Sequence, residues 1–202
     1  MNRISVPGEA IPYIRMHRTN LEGNIPARYA EAVAEDFAGM VPYLPPAIDA
    51  MLDIGCGMAG IDVLFWREYC PRLFLLDGNG MTEARTGFHE RMDYYNSLPI
   101  TRRLLEMNGV PPEHISTALP ERCDLVISLF SWGFHYPVST YLPLVKTVLH
   151  PGGRLILDID KRNDGSAALR ADFEIVGVLS DLGTARRVCL QRRSEDDRSA
   201  AG

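Results

Sequence analysis

The sequence predicts one α/β domain with a doubly wound, mostly parallel sheet and helices on both faces. Three observations carry that expectation. Short apolar strands alternate with helical segments along most of the 202 residues. The first strand, AMLDIG, runs through a glycine-rich turn into a helix. The chain closes with two strands, FEIVGVL and RRVCLQ, whose SDLGTA connection permits a hairpin and is too short for a parallel crossover. The length suffices for one substantial core and is short for two.

Before the first strand, a polar, irregular start leads into NIPARYAEAVAEDFAGM. There Pro26 falls in the first turn, and Tyr29, Val33, Phe37 and Met40 recur at helical spacing. VPYLPP then breaks the chain. IDVLFWREYC is apolar on most sides and reads as a buried crossover helix, followed by LFLLDG, the continuously apolar strand of a sheet covered on both faces. A long insert of poor periodicity, NGMTEARTGFHERMDYYN, separates it from the helix SLPITRRLLEMNG, with Ser97 as cap and Gly109 as stop. Inserts of that length in compact domains are more often functional than idle. HISTAL is a weak third strand, DLVISLF a strong fourth and STYLPLVKTVLH a helix, and Pro151, Gly152 and Gly153 turn the chain into RLILDI. The expected organisation is an N-terminal helical lid over 1–45, the sheet domain over 46–193, and a disordered, polar tail over 194–202.

Composition narrows the partners. A formal charge of −5 disfavours a nucleic-acid backbone as the main partner, because phosphate binding needs a positive field. No apolar run is long enough for a membrane span, and the N-terminus lacks the apolar core of a secretory signal. The four cysteines, Cys56, Cys70, Cys123 and Cys189, have no metal-ligand spacing and read as reduced thiols of a cytoplasmic protein. The expected partner is a small molecule, and a homodimer is compatible with the sequence.

In a doubly wound sheet, ligands bind beyond the carboxyl ends of the strands. Those ends are Asp53 to Gly57, Asp77 to Asn79, Ser128 to Ser131 and Asp158 to Asp160. Gly55, Gly57 and Gly60 are spaced G-x-G-x-x-G between strand and helix, a pattern that suits a dinucleotide or S-adenosylmethionine. Asp77, ending LFLLD, is placed to accept both hydroxyls of a ribose, which either ligand contains. Asp53 discriminates. A carboxylate beside the loop would repel a pyrophosphate and suits the ammonium and sulfonium of S-adenosylmethionine, with loop amides left for its carboxylate. A nicotinamide oxidoreductase and a catalytically silent S-adenosylmethionine-binding module remain as rival readings.

From about Met51 to about Arg193 the chain resembles the class I S-adenosylmethionine-dependent methyltransferases. LDIGCGMAG matches their first motif, LLDGN the ribose-binding acid, CDLVISLF the fourth strand, and LHPGGRLIL the turn and fifth strand. The closing hairpin matches their reversed last strand. The resemblance implies the strand order 3-2-1-4-5-7-6, S-adenosyl-L-methionine as cofactor, and cofactor contacts from Asp53, Gly55, Cys56, Gly57, Gly60, Asp77, Gly78, Asn79, Ser128, Leu129 and Phe130. One departure stands out: STALPERCD has no acid after the third strand, which leaves adenine to backbone groups or Thr117.

Methyl transfer mainly requires alignment, and a hydroxyl or ammonium acceptor also needs a base. His135 in SLFSWGFHYP, past the fourth strand, is the candidate, with an ordinary histidine pKa suited to neutral pH. Trp132 and Tyr136 in the same loop, and His89, Asp93, Tyr94 and Tyr95 in the insert, are the candidate substrate contacts. Asp158 and Asp160 read as solvated strand-end acids, and no metal is expected because the fourth strand ends without an acid. The insert and GFHYP loosely resemble bacterial sugar or natural-product methyltransferases, which points to O- or N-methylation of such an intermediate.

Overall fold

Seven strands form one sheet: β1 (Ala50–Ile54), β2 (Arg72–Leu76), β3 (Ile115–Ser116), β4 (Cys123–Ser128), β5 (Leu149–Asp160), β6 (Phe173–Asp181) and β7 (Ala185–Arg192). In this computed structural model, which describes residues 3–78, 80–81, 95–163 and 165–194, their order is 3-2-1-4-5-7-6. Strands β1 to β5 pair in parallel, and β7 runs antiparallel to both β5 and β6. This is the predicted architecture.

Burial on both faces explains the uninterrupted apolar strands. Every residue of β1 is buried. Strand alternation sends Met51 to the core shared with Val33, Phe37, Phe65 and Leu104, and Leu52 and Ile54 to the opposite core with Val126, Val145 and Phe173. Helices α2 (Ile25–Met40), α3 (Gly60–Tyr69) and α4 (Leu98–Met107) cover the first face. Phe37 of α2 meets Phe65 of α3 edge to face, with centroids 5.0 Å apart. Asn24 caps α2 by accepting from Ala27 N–H at 3.2 Å.

Several local expectations change. The polar start is not irregular: a 3₁₀ turn, Gly8–Ala10, leads into α1 (Ile11–His17), anchored by the fully buried Ala10 and Ile14. Ser97 stands at the N-cap of α4 without a capping side-chain bond, and Asn96 Oδ1 accepts the Ser97 N–H instead. The helix expected over 139–150 divides into a 3₁₀ turn, Val138–Thr140, and α5 (Leu142–Val148), with proline in the first turn of α5. The Pro-Gly-Gly turn lies inside β5 as a bulge, between the pairs Cys123–Leu149 and Leu125–Arg154. A short helix, α6 (Ser166–Leu169), precedes β6.

Of the insert, Gly80–Met81 pairs antiparallel with Tyr95–Asn96. Asn79, His89, Asp93 and Tyr94 lie outside the described residues, as does most of the expected tail. Among the described residues, no helix is long and apolar enough to cross a membrane.

Candidate functional site

The turn between β1 and α3 is a left-handed staircase: Gly55, Gly57 and Ala59 have φ of +74°, +51° and +49°. Glycine adopts such angles without a steric penalty, whereas Ala59 carries one. The protein's own side chains occupy the space that the missing Cβ atoms leave. A Cβ on Gly55 would overlap the Ser131 side chain, one on Gly57 would meet the His17 ring at 3.0 Å, and one on Gly60 would meet Tyr29 Oη at 2.5 Å. Four loop amides are also committed internally. Gly55 N–H donates to Leu76 O, Gly57 N–H to Asp77 Oδ2, Ala59 N–H to Cys56 O and Gly60 N–H to Tyr29 Oη. The expectation that loop amides are left for a ligand carboxylate is corrected at these four positions.

Gly55→Val is accordingly expected to destabilise the fold by about 2–5 kcal/mol, through left-handed strain and overpacking against Ser131. Thermal denaturation measures it, and an unchanged melting temperature would contradict this packing. From sequence alone, the fold of this variant is expected to stay largely intact. The Ser131 contact overturns that.

Asp77 clasps the loop. Its Oδ2 accepts from Gly57 N–H at 2.7 Å and from Asn96 Nδ2 at 2.9 Å, and its Oδ1 accepts from Gly78 N–H at 2.6 Å. Thr101, buried on α4, donates to Gly57 O at 2.7 Å and holds the other side of the same residue. The Cys56 thiol also lies 4.0 Å from Oδ2, so Oδ1, with Gly78 N–H alone, keeps the one open position for a ligand hydroxyl where two were expected. Burial raises the Asp77 pKa, and the three donors oppose that rise.

Strand alternation places Asp53 on the face covered by α3, beside Asp62 in the first turn of that helix. Asp53 is 3% exposed and Asp62 is fully buried. Burial, then the neighbouring carboxyl, pushes Asp53 well above the usual carboxylate range, and burial raises Asp62 as well.

Above these groups opens a cavity of about 480 Å³. Its floor is Asp53, Gly55 to Gly57, Gly60 and Asp77, and the segment 17–20 forms one wall. The lip after β4 supplies Leu129, Phe130, Ser131, His135 and Tyr136. Phe130 is bulky, 37% exposed and left-handed at φ +51°, a strained conformation that its N–H bond to Asp158 Oδ2 helps hold. Half-buried His135 packs edge to face on Phe134 and lies close enough to Asp160 to help lower that carboxyl, after Arg162.

No family model matches the sequence, and a search of curated proteins finds no match either. Solved structures do match in shape. The ribosomal protein L11 methylase of Lactobacillus delbrueckii subsp. bulgaricus superposes with a TM-score of 0.57 at 12% identity, over 84% of this chain and 82% of its own. The geranyl diphosphate C-methyltransferase of Streptomyces coelicolor A3(2), solved with Mg²⁺, geranyl diphosphate and S-adenosyl-L-homocysteine, gives 0.59 at 12% identity, over 83% and 81%. The magnesium protoporphyrin IX methyltransferase of Synechocystis PCC 6803, solved with bound S-adenosylmethionine, gives 0.55 at 18%, over 92% of both chains. The chain has the class I methyltransferase fold.

On this methyltransferase fold, the two strand-end acids are not solvated, and that expectation is corrected. Asp158 is fully buried and takes a two-pronged bond from Arg187 of β7, at 2.7 and 2.9 Å. Arg187 reaches Asp36 of α2 at 2.6 Å, and Asp36 binds Arg18 at 2.6 Å. This neutral chain of four charges ties the wall at Arg18 to the lip at Phe130. Asp160 is held by Arg162. Asp36→Ala would leave Arg187 buried with one partner, and about 3 kcal/mol of lost stability is expected in urea denaturation. An unchanged midpoint would show that the pair contributes nothing.

The remaining predicted residues divide. Cys56 lines the cavity. Gly78 serves the Asp77 clasp. Ser128 is buried and spent on Ile54 O and Trp132 N–H. Trp132 is in the core, donating to Val138 O at 2.8 Å, so it does not wall the cavity. Thr117 is exposed and is not among the cavity's lining residues. Tyr95 pairs with Met81 in the short antiparallel ladder. Sequence reasoning missed Tyr29, His17 and Thr101 as supports of the loop, and Asp62 as the buried neighbour of Asp53. Tyr29 and Thr101 carried a usable signal, a polar group on the buried stripe of a helix.

Proposed function

We propose that the protein is an S-adenosylmethionine-dependent methyltransferase acting on a small-molecule acceptor, by O- or N-methylation of a sugar or natural-product intermediate. The observation that carries this reading is the glycine turn locked to Asp77 at the floor of the cavity, on a fold shared with methyltransferases. The residues present fit the cofactor. Asp77 keeps an acceptor position for a ribose hydroxyl, and the Asp53 carboxyl suits a cation, beside Asp62 whose oxygens have no partner among the described residues. When bound, the cofactor supplies an electrophilic methyl carbon on a sulfonium. Leu129, Phe130 and Tyr136 would bound the acceptor and exclude water. A ring nitrogen of His135 would take the acceptor's proton, and the nearby Asp160 carboxylate would favour the imidazolium that results.

The formal charge of −5 and the cavity of about 480 Å³ support a small acceptor over a nucleic acid. Incubation with methyl-labelled cofactor and separate small-molecule, RNA and protein fractions tests this. Label is expected in the small-molecule fraction, and label confined to RNA or protein would overturn the acceptor class.

A further inference from the structure

Asp53 and Asp62 are adjoining buried acids at the site. Asp53 borders the cavity, and Asp62 lies behind it on α3 with both carboxylate oxygens buried and without a donor among the described residues. Two facing carboxylates hydrogen-bond only if one of them carries a proton.

Among the described residues, no basic side chain pairs with either carboxyl. The loop contributes the Cys56 thiol, the end of β2 contributes the Asp77 carboxylate, and α2 contributes the Tyr29 hydroxyl, which accepts from Gly60 N–H. Arg18, following α1, is bound to Asp36. His17, at the end of α1, packs over Gly57, and His135 stands on the far lip.

We propose that Asp53 and Asp62 together hold one proton, and that the ammonium group of an amino-acid-bearing ligand displaces it on entering the cavity. The inference rests on the methyltransferase reading and adds to it a proton released with cofactor uptake. The proton balance is simple. The pair with one shared proton carries one negative charge, loses that proton through the cavity to the buffer, and then faces the incoming ammonium with two. Asp62 acts here as a positioning residue, sharing with Asp53 the proton that leaves the pair singly charged until a cation arrives. A permanent cation without an exchangeable proton would serve equally, which makes ammonium or sulfonium the recognised chemistry.

Titration calorimetry of the whole chain with S-adenosylhomocysteine at pH 6.5, in two buffers of different ionisation enthalpy, counts the protons. The ligand's amino group is already protonated at that pH and takes up none. Release of about one proton per ligand bound is expected. Asp62→Asn keeps the shape and donates to an ionised Asp53, so its release should fall to near zero, while His17 and His135 remain and are thereby excluded as the source. 5′-Methylthioadenosine, which has the nucleoside but no amino acid, should release none. Binding of S-adenosylhomocysteine without proton release, or equal release from Asp62→Asn, overturns the inference and leaves the methyltransferase reading standing. If Asp62→Asn does not fold, the two-buffer measurement on the natural chain and the methylthioadenosine control decide. No binding of S-adenosylhomocysteine overturns both readings.

Discussion

His135→Ala is expected to cut turnover by about 10²–10⁴-fold, the range for removing a positioned general base. The loop that carries it is held by its main chain, with His135 N–H and Phe134 N–H both donating to Ser131 O and Asp160 N–H donating to Gly133 O. Truncating the imidazole therefore removes a proton acceptor without releasing the lip. Affinity for S-adenosylhomocysteine should change less than threefold, on the order of 0.6 kcal/mol, because Asp77 and the glycine turn stand apart from this side chain. Steady-state kinetics beside a binding titration separates the two effects. A loss below about tenfold would make His135 a lining residue and move the search for the base to His89 or Asp93.

Asp77→Ala is expected to weaken cofactor binding by about 100-fold or more. One charge-assisted bond to the ribose is lost, about 1.5–3 kcal/mol, and the glycine turn loses the anchor that fixes Gly57. The same change should lower stability by about 2 kcal/mol, since the Gly57 and Gly78 amides and the Asn96 amide are left without their acceptor. Calorimetry and thermal denaturation together test the double role. Weakened binding at unchanged stability would show that Asp77 serves the ligand alone, and the reverse that it serves only the turn.

The fold was legible because its signals are local. Apolar runs such as AMLDI and RLILDI announce strands covered on both faces, and the short link between β6 and β7 forces the antiparallel end. The glycine spacing and Asp77 were legible for the same reason. What escaped depends on partners distant in sequence. Asp158 looks solvated until Arg187, 29 residues later on β7, is seen to close over it, held in turn by Asp36 of α2. Trp132 and Phe130 are both aromatic and two residues apart, yet one fills the core and the other the lip. The difference is set by the left-handed turn at Phe130. Tyr29 gave the correct helical stripe, but its hydroxyl at Gly60 depends on how α2 docks on α3. The glycines invite a ligand in sequence, whereas in the structure Ser131, His17 and Tyr29 fill much of the space they leave.

The central claim is that this loop serves S-adenosylmethionine and not a dinucleotide. Parallel calorimetric titrations with S-adenosylhomocysteine and with NAD test it most directly. The buried acids at Asp53 and Asp62 would face the pyrophosphate of a dinucleotide, so S-adenosylhomocysteine is expected to bind with a Kd on the order of micromolar, about −8 kcal/mol, and NAD to give no heat of binding. Saturable binding of NAD with none of S-adenosylhomocysteine would contradict the account.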